Sequence, residues 1–183
     1  MTPVSKPELP QHIAIVMDGN NRWAKSHDLP AKSGHRHGAD VAREVVNSCL
    51  TRDIKYLTLF AFSRENWLRP RKEVQGLMAL FLTVLKRKEI NQLHKRNVRL
   101  QFIGNRSSFS QKLQKNMRDV EELTRGNTGM TVIVAADYGG RWDIANAMTN
   151  IVDKVTSGEL SADSIDADLV CQHTSTSDYP DPD

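Results

Sequence analysis

The chain has 183 residues, of which 39% are hydrophobic and 26% are charged, which is the size and composition of one ordinary globular domain. Its formal net charge of +3 is only mildly basic, so the composition gives no support for a nucleic-acid-binding protein, although an anionic ligand fits. The two cysteines lack metal-ligand spacing, which argues against a disulfide framework and a structural zinc site and favours the reducing cytoplasm.

The N-terminal segment and the longest apolar run argue against a targeting or membrane segment. The residues MTPVSKPELPQ contain no charged region followed by an apolar one, so we expect no signal peptide. The apolar run at residues 77–85 is about half as long as the roughly 20 residues that a membrane-spanning helix needs. We therefore expect a soluble, cytoplasmic protein.

Apolar runs of strand length alternate with helical patterns along the chain. The predicted elements, in order, are a strand at 12–17, a helix after Gly38, a strand at 54–62, a helix from Pro70 to about Arg96, a strand at 98–104, a helix at 110–124, a strand at 130–138 and a helix at 142–155. This alternation predicts an α/β fold in which residues 1–183 form a single domain, with a mostly parallel central sheet flanked by helices.

A polar cluster follows each predicted strand. These clusters are residues 18–20, 63–67, 104–106 and 138–141. The carboxyl ends of parallel strands meet at one edge of an open sheet, and ligands bind beyond that edge. We therefore expect the four clusters to form one shared site.

The stretch MDGNNRWA, residues 17–24, combines residue types that suit a metal-bound phosphate or diphosphate. Gly19 lets the backbone approach a ligand, and the N–H groups of residues 19–22, at a turn leading into a helix, form an anion site. Asp18 would supply a carboxylate to Mg²⁺, which usually takes one or two carboxylates plus phosphate oxygens. An isolated Asp-Gly-Asn is equally compatible with a turn in which Asp18 only caps the next helix.

Cationic and titratable side chains near this motif favour the ligand hypothesis over a simple turn. They are Arg22, His35, Arg36, Arg64 and Arg69. Arginine suits bidentate contacts with phosphate. His35 lies in GHRHG at the predicted start of a helix, where a structural role stays open beside a contact with diphosphate.

The second cluster, SRENWLRP at residues 63–70, surrounds a tryptophan with polar residues. Trp67 alone would by default anchor a hydrophobic core. Its neighbours Asn66 and Arg69 favour instead the edge of a substrate site, where a polar diphosphate gives way to an apolar tail. Both interpretations stay open.

The predicted helix over residues 70–96 is apolar on nearly every side between Leu77 and Leu85. Complete burial explains this pattern, and so does an apolar tunnel between sheet and helices that holds a hydrocarbon tail. The basic residues at 86–88, 95, 96 and 99 indicate a solvated helix end rather than a nucleic-acid patch.

Four stretches together resemble the cis-prenyltransferase family, namely HIAIVMDGNNRWAK, GHRHGADVAREVV, LTLFAFSRENWLRP and ADYGGRWDI. They occur in the family's order, and the similarity runs from about residue 10 to the last residue. The resemblance implies a Mg²⁺-dependent transferase that adds isopentenyl diphosphate to an allylic diphosphate, usually farnesyl diphosphate, and makes a lipid carrier for cell-wall synthesis. It also implies a homodimer and contact with a membrane surface for product release.

The resemblance assigns roles to individual residues. Asp18 would be the catalytic, metal-binding carboxylate. The allylic diphosphate would be held by Gly19, Asn20, Asn21, Arg22, Trp23 and His35, with Trp23 at the boundary to the apolar tail. The substrate site would be completed by Ser63, Arg64, Glu65, Trp67 and Arg69. The family assigns Asn66 as a proton acceptor, but a neutral amide is a weak base, so we expect it to position a diphosphate oxygen or water.

The chain departs from the family pattern in four places. Asn21 stands where a glycine is usual, and asparagine tolerates positive φ well. Ala31 replaces an arginine, with Lys32 beside it, and Asp137 replaces an asparagine and adds a carboxylate. The chain ends at Asp183, before the family's segment that binds isopentenyl diphosphate and completes the metal site and the dimer, so we expect a domain truncated at its C-terminus.

Two other classes of function stay under consideration. A non-catalytic protein would bind an allylic diphosphate without turnover, and ligand binding without product would identify it. A phosphatase with an aspartyl nucleophile also places an aspartate after its first strand. Such enzymes need a second acid two residues away, where this chain has Val16 and Asn20, so the sequence argues against this class.

Overall fold

The computed structural model describes residues 9–183, without the side chain of Arg87. Residues 1–8, where we expect no signal peptide, lie outside this range. The helices and strands of the described residues are β1 (His12–Val16), α1 (Asn20–Ser26), α2 (Ala31–Thr51), β2 (Tyr56–Ser63), α3 (Arg71–Val84), α4 (Arg87–Lys95), β3 (Arg99–Ile103), α5 (Gln111–Thr124), β4 (Thr131–Tyr138), α6 (Gly140–Thr156) and α7 (Ala167–Gln172). A 3₁₀ turn at Arg64–Leu68 follows β2 directly.

The strands of the described residues form one four-stranded parallel sheet. Their order is β1-β2-β4-β3, and every neighbouring pair is parallel. The register shifts near the end of β2, where Phe62 and Ser63 pair with Ala136 and Tyr138. The carboxyl ends of all four strands therefore lie at one edge, which confirms the predicted α/β fold with a parallel sheet flanked by helices.

The larger hydrophobic core lies between one face of the sheet and the helices. Alternate residues of a strand point to opposite faces, and on this face Leu57 and Leu59 of β2 pack with Val132 of β4. Val46 of α2 and Met117 of α5 belong to the same core. This packing holds α2 and α5 against the sheet and so fixes the start of α2 near the carboxyl-end edge.

The opposite face of the sheet carries a smaller core. Ile133 and Ala135 of β4 are fully buried there. Tyr56 of β2 and Tyr179 of the C-terminal segment pack against them. Residues near the end of the described chain thus cover part of the sheet that the larger core leaves free.

The prediction of one helix over residues 70–96 is wrong, because the segment forms two helices. After α3 the chain turns at Lys86, whose ψ of 142° ends the helical conformation. Leu85 and Ile90 are buried while Lys86 is exposed, so the turn keeps both apolar side chains in the core and leaves the charge in water. Among residues 9–183 no helix is long and apolar enough to cross a membrane.

The second helix begins at Ala31, earlier than the predicted start near Gly38. Pro30 precedes it in an extended conformation, which suits proline at a helix boundary. Two glycines, Gly34 and Gly38, lie inside the helix. Because glycine normally weakens a helix interior, the sequence pattern did not predict the first turns. His35 is therefore the fifth residue of α2 and not its first.

Candidate functional site

A cavity of about 650 Å³ reaches from the carboxyl-end edge of the sheet between the sheet and the helices. Its walls are mainly apolar and include Leu77, Leu80, Phe81 and Val84 of α3. Polar residues line it as well, among them Asp18, Gly19, Asn20, Asn21, Arg22, His35, Asn66 and Arg69. This combination suits a ligand with an anionic head and an apolar tail, and it shows that α3 both packs in the core and walls a cavity.

Asp18 presents an ionised carboxylate at the mouth of this cavity, where its side chain is 68% exposed. Its oxygens accept the backbone N–H of Gly19 at 2.6 Å and Nη2 of Arg22 at 3.0 Å. The Gly19 hydrogen bond first, and then the charge of Arg22, lower the pKa of Asp18. Residue 19, which follows Asp18, has φ 88°, a conformation that favours glycine. Asn21 lies inside α1, so it does not need the positive φ that asparagine tolerates.

The backbone after Asp18 is held by close packing between α1 and α2. A side chain at Gly34 would overlap with the backbone carbonyl of Asn20, and one at Gly38 would overlap with the side-chain amide of Asn20. The same amide donates to the carbonyl of Met17 at 3.2 Å. Sequence reasoning missed this role of the GHRHG motif, although two glycines four residues apart in a helix indicate a close contact on one face.

A partly buried polar cluster joins α2 to α3 beside the cavity. Nε2 of His35 lies 3.5 Å from Oε1 of Glu73, and Nη1 of Arg69 donates to the same oxygen at 2.9 Å. Nε2 of His35 is buried and has no hydrogen-bond partner among residues 9–183. Glu73 was not predicted as a site residue, although it stands four residues after Arg69, at the spacing of a helical ion pair.

The segment from Ser63 to Arg69 brings two of its predicted site residues to the cavity, Asn66 and Arg69. Oδ1 of Asn66 accepts the backbone N–H of Ser63 at 3.1 Å, so the amide closes the 3₁₀ turn that it belongs to. Trp67 packs edge-on against Phe62 with ring centroids 5.0 Å apart. Of the two interpretations of Trp67, the structure supports the core anchor.

The remaining predicted site residues lie outside the lining of the cavity. The Trp23 ring stacks between His27 and His37, with centroid separations of 4.4 and 4.1 Å. Arg64 faces Asp137 of β4 and Trp142 of α6 and does not line the cavity. The Glu65 carboxylate is exposed, and hydrogen bonds to its own backbone N–H and then to the Ser63 hydroxyl lower its pKa.

At the end of β4, a buried carboxylate holds a tyrosine. The hydroxyl of Tyr138 donates to Oδ2 of Asp143 at 3.0 Å, and Asp143 also accepts the backbone N–H of Ser175. Burial, and then the negative charge of Asp143, raise the pKa of Tyr138 to about 12. The pair joins β4, α6 and the C-terminal segment.

Alkaline titration should therefore find one tyrosine that ionises near pH 12. The folded pKa lies above the value of about 10 for an unfolded tyrosine, so the stability from this group is complete below pH ~10 and is lost as pH rises through the folded pKa. Absorbance titration of wild type against Tyr138→Phe identifies the group. Asp143→Asn should lower the pKa of Tyr138 towards 10, and an unchanged value would contradict the role of Asp143.

The residues at the mouth fit a divalent cation that is held together with a diphosphate. In the described part of the chain, no three His, Cys, Asp or Glu side chains lie close enough together to hold a metal by themselves. Asp18 provides one carboxylate, beside the backbone N–H groups at the start of α1, which lack helical partners. Mg²⁺ commonly takes one or two carboxylates and completes its coordination with substrate phosphates.

Comparison with known proteins gives concordant matches. Residues 16–183 match a family model described as "Putative undecaprenyl diphosphate synthase". A ditrans,polycis-undecaprenyl-diphosphate synthase ((2E,6E)-farnesyl-diphosphate specific) of Vibrio cholerae is 49% identical over 180 residues, which are 98% of this chain and 72% of that protein. The Legionella pneumophila (strain Paris) protein of the same name is 48% identical over 96% of this chain and 74% of its own length.

Solved structures give the same result. Lavandulyl diphosphate synthase from Lavandula x intermedia, in complex with dimethylallyl diphosphate, superposes with a TM-score of 0.91 at 34% identity, over 95% of this chain and 75% of that one. A probable undecaprenyl diphosphate synthase from Campylobacter jejuni gives a TM-score of 0.68 at 29% identity, over 90% and 68% of the two chains. This chain therefore belongs to the undecaprenyl diphosphate synthase family of prenyltransferases.

Proposed function

We propose that this chain elongates farnesyl diphosphate with isopentenyl diphosphate in a Mg²⁺-dependent reaction and makes a polyprenyl diphosphate lipid carrier for cell-wall synthesis. One observation carries the proposal: an ionised Asp18 and a turn with free N–H groups stand at the mouth of a cavity with apolar walls. The names of the bacterial relatives support farnesyl diphosphate as the allylic substrate.

In this reaction the bond between the allylic carbon and its diphosphate breaks, and that carbon forms a new bond to isopentenyl diphosphate, which then loses a proton that the departed diphosphate can accept. Negative charge builds on the departing diphosphate. Arg22, Arg69 and the backbone N–H groups at the start of α1 would stabilise this charge, because they already lie at the cavity before the reaction begins and Glu73 holds Arg69 there. Bound beside Asp18, Mg²⁺ would supply further positive charge to the same oxygens.

The apolar walls have a second role in this proposal. An allylic carbon that is losing its diphosphate becomes cationic and would react with water. Leu80, Phe81 and Val84 line the cavity and would exclude water from this centre while they accommodate the hydrocarbon tail.

Asn66 would position a reactant rather than accept a proton. Its Oδ1 already accepts the N–H of Ser63, which leaves the Nδ2 group as a donor towards the cavity that Asn66 lines. A donor of this kind suits an oxygen of diphosphate or water. A neutral amide is in any case a poor base at neutral pH.

Incubation of the protein at its natural length with Mg²⁺, farnesyl diphosphate and labelled isopentenyl diphosphate should give labelled polyprenyl product, and chelation of the metal should abolish it. Calorimetry with farnesyl diphosphate measures binding separately from turnover. Binding without product would favour the non-catalytic alternative, and absence of both would contradict the proposal. The homodimer, the contact with a membrane surface and the cytoplasmic location stay predictions.

A further inference from the structure

Asp137, at the carboxyl end of β4, is a buried carboxylate that the reaction described above does not use. Its side chain is fully buried, and neither oxygen has a hydrogen-bond partner among residues 9–183. Burial of a charge is costly unless an opposite charge compensates it. The residue also has φ 52°, a conformation in which aspartate and asparagine are among the best tolerated non-glycine residues.

Arg64 is the group that faces this carboxylate. Its Nη1 lies 3.8 Å from Oδ2 of Asp137, and that nitrogen is buried without a hydrogen-bond partner in the described part of the chain. The guanidinium carbon also lies 5.6 Å from the centre of the Trp142 ring. A side chain at Gly139 would begin 3.4 Å from Cδ of Arg64, so the glycine leaves room for the arginine stem.

The position of Arg64 links this pair to the cavity. Arg64 is the first residue of the 3₁₀ turn that contains Asn66 and ends next to Arg69. Ser63, just before it, is the last residue of β2 and pairs with Tyr138 of β4. A charge fixed at Asp137 therefore acts at the base of the turn that presents both cavity-lining side chains.

We propose that Asp137 is a positioning residue, whose buried carboxylate fixes Arg64 and through it sets Asn66 and Arg69 at the cavity. The effect on catalysis rests on the proposed function, whereas the effect on the turn does not.

Fluorine NMR of protein labelled with 5-fluorotryptophan tests the effect on the turn. The three tryptophans give one signal each. The signal of Trp67 reports on the 3₁₀ turn that contains it, and that of Trp142 reports on the position of Arg64. The signal of Trp23 serves as the internal reference. Asp137→Asn keeps the backbone and removes the charge, and it should shift the signals of Trp67 and Trp142 but not that of Trp23. An unchanged Trp67 signal would overturn the proposal even if the enzyme is active.

A double-mutant cycle tests the effect on the reaction. Asp137→Asn and Arg64→Gln should each lower kcat about tenfold, because each removes one partner of the pair and misplaces the turn. Affinity for farnesyl diphosphate should fall less than kcat does, because Arg22 and the backbone N–H groups at the start of α1 stay in place, and this split separates positioning from binding. The double variant, in which both side chains are neutral, should recover most of the kcat that each single variant loses. If its loss of kcat were instead the product of the two single losses, the proposed pairing would be overturned.

Asp143→Asn is the matched control, since it also removes a buried carboxylate, in this case one inside α6. Asp143 is bonded to Tyr138 and Ser175 rather than to Arg64. This variant should lower stability but leave the Trp67 signal in place. If wild type forms no product, the proposed function fails, while the NMR comparison still decides the role of Asp137.

Discussion

Replacement of Asp18 by asparagine should lower the rate of condensation by a factor on the order of 10²–10³ while the chain stays folded. The asparagine keeps the size of the side chain but removes the charge that would hold the metal and, with it, the departing diphosphate. The cost to folding should be small because the Asp18 side chain is 68% exposed and its partner Arg22 is 80% exposed, and exposed ion pairs contribute little.

The comparison needs a control that breaks a similar ion pair elsewhere. Asp119 is exposed and accepts a hydrogen bond from Lys115, four residues earlier in α5, much as Asp18 bonds Arg22 four residues later, and this pair does not line the cavity. Asp119→Asn should leave the condensation rate close to that of wild type. Circular dichroism and thermal unfolding check that both variants are folded, and a rate for Asp18→Asn within a few-fold of wild type would remove Asp18 from the catalytic machinery.

The pH dependence of metal binding gives a second measurement on the same carboxylate. The pKa of Asp18 is lowered in the folded chain, so the carboxylate remains charged at neutral pH and gains a proton only under acid conditions, below the ordinary aspartate pKa of 3.8. Loss of Mg²⁺-dependent activity well above that pH would have to come from another group, such as the diphosphate itself.

The sheet and its functional edge were accessible from the sequence because each strand is a short apolar run that ends in a polar turn. Asp18 follows β1 and Asn66 follows β2, and a parallel sheet brings such positions together whatever the packing of the helices. Local chemistry was sufficient here, since glycine and asparagine residues mark the ends of strands reliably.

The directions of individual side chains were not accessible in the same way. Arg64 and Arg69 belong to one short segment and have the same charge, yet one faces Asp137 and the other pairs with Glu73 beside the cavity. Trp67 likewise packs on Phe62 of the core. These outcomes depend on which distant residue lies opposite, and that information is absent from a local pattern.

The predicted helix boundaries were wrong for a related reason. The turn at Lys86 occurs where a buried helix meets charged residues, and its position depends on where the core ends. The first turns of α2 escaped notice because Gly34 and Gly38 look unfavourable for a helix when they are judged alone. Their contact with Asn20 supplies the compensation that intrinsic propensity does not include.

Because of that contact, we expect the second large effect from Gly34→Ala, which should lower the stability of the chain. The added methyl group would overlap with the backbone carbonyl of Asn20 and would lie 3.0 Å from Cβ of Ala24. A backbone carbonyl cannot move aside as the end of a flexible side chain can, so α1 must shift away from α2. Overpacking of this kind costs about 1–3 kcal/mol of unfolding free energy.

The shift would also displace the turn that holds the diphosphate, because Asn20 is the first residue of α1 and directly follows Gly19. Affinity for farnesyl diphosphate should therefore fall at least about tenfold, since a misplacement of about 1 Å in a preorganised site has effects of that size or larger. Urea unfolding measures the first effect, and calorimetry measures the second on the fraction that is folded.

The same substitution at Gly76 should have the opposite effect on the stability of the chain. Gly76 lies inside α3, and a Cβ at this position would meet no described atom within 4 Å. Alanine should therefore stabilise the chain by about 0.5–1 kcal/mol, because it restricts the unfolded chain and favours the helix. If Gly34→Ala were as stable as Gly76→Ala and bound farnesyl diphosphate equally well, the close contact between α1 and α2 could not be what holds the turn after Asp18. The two glycines thus separate the ordinary preference of a helix for alanine from the specific need for space beside the cavity.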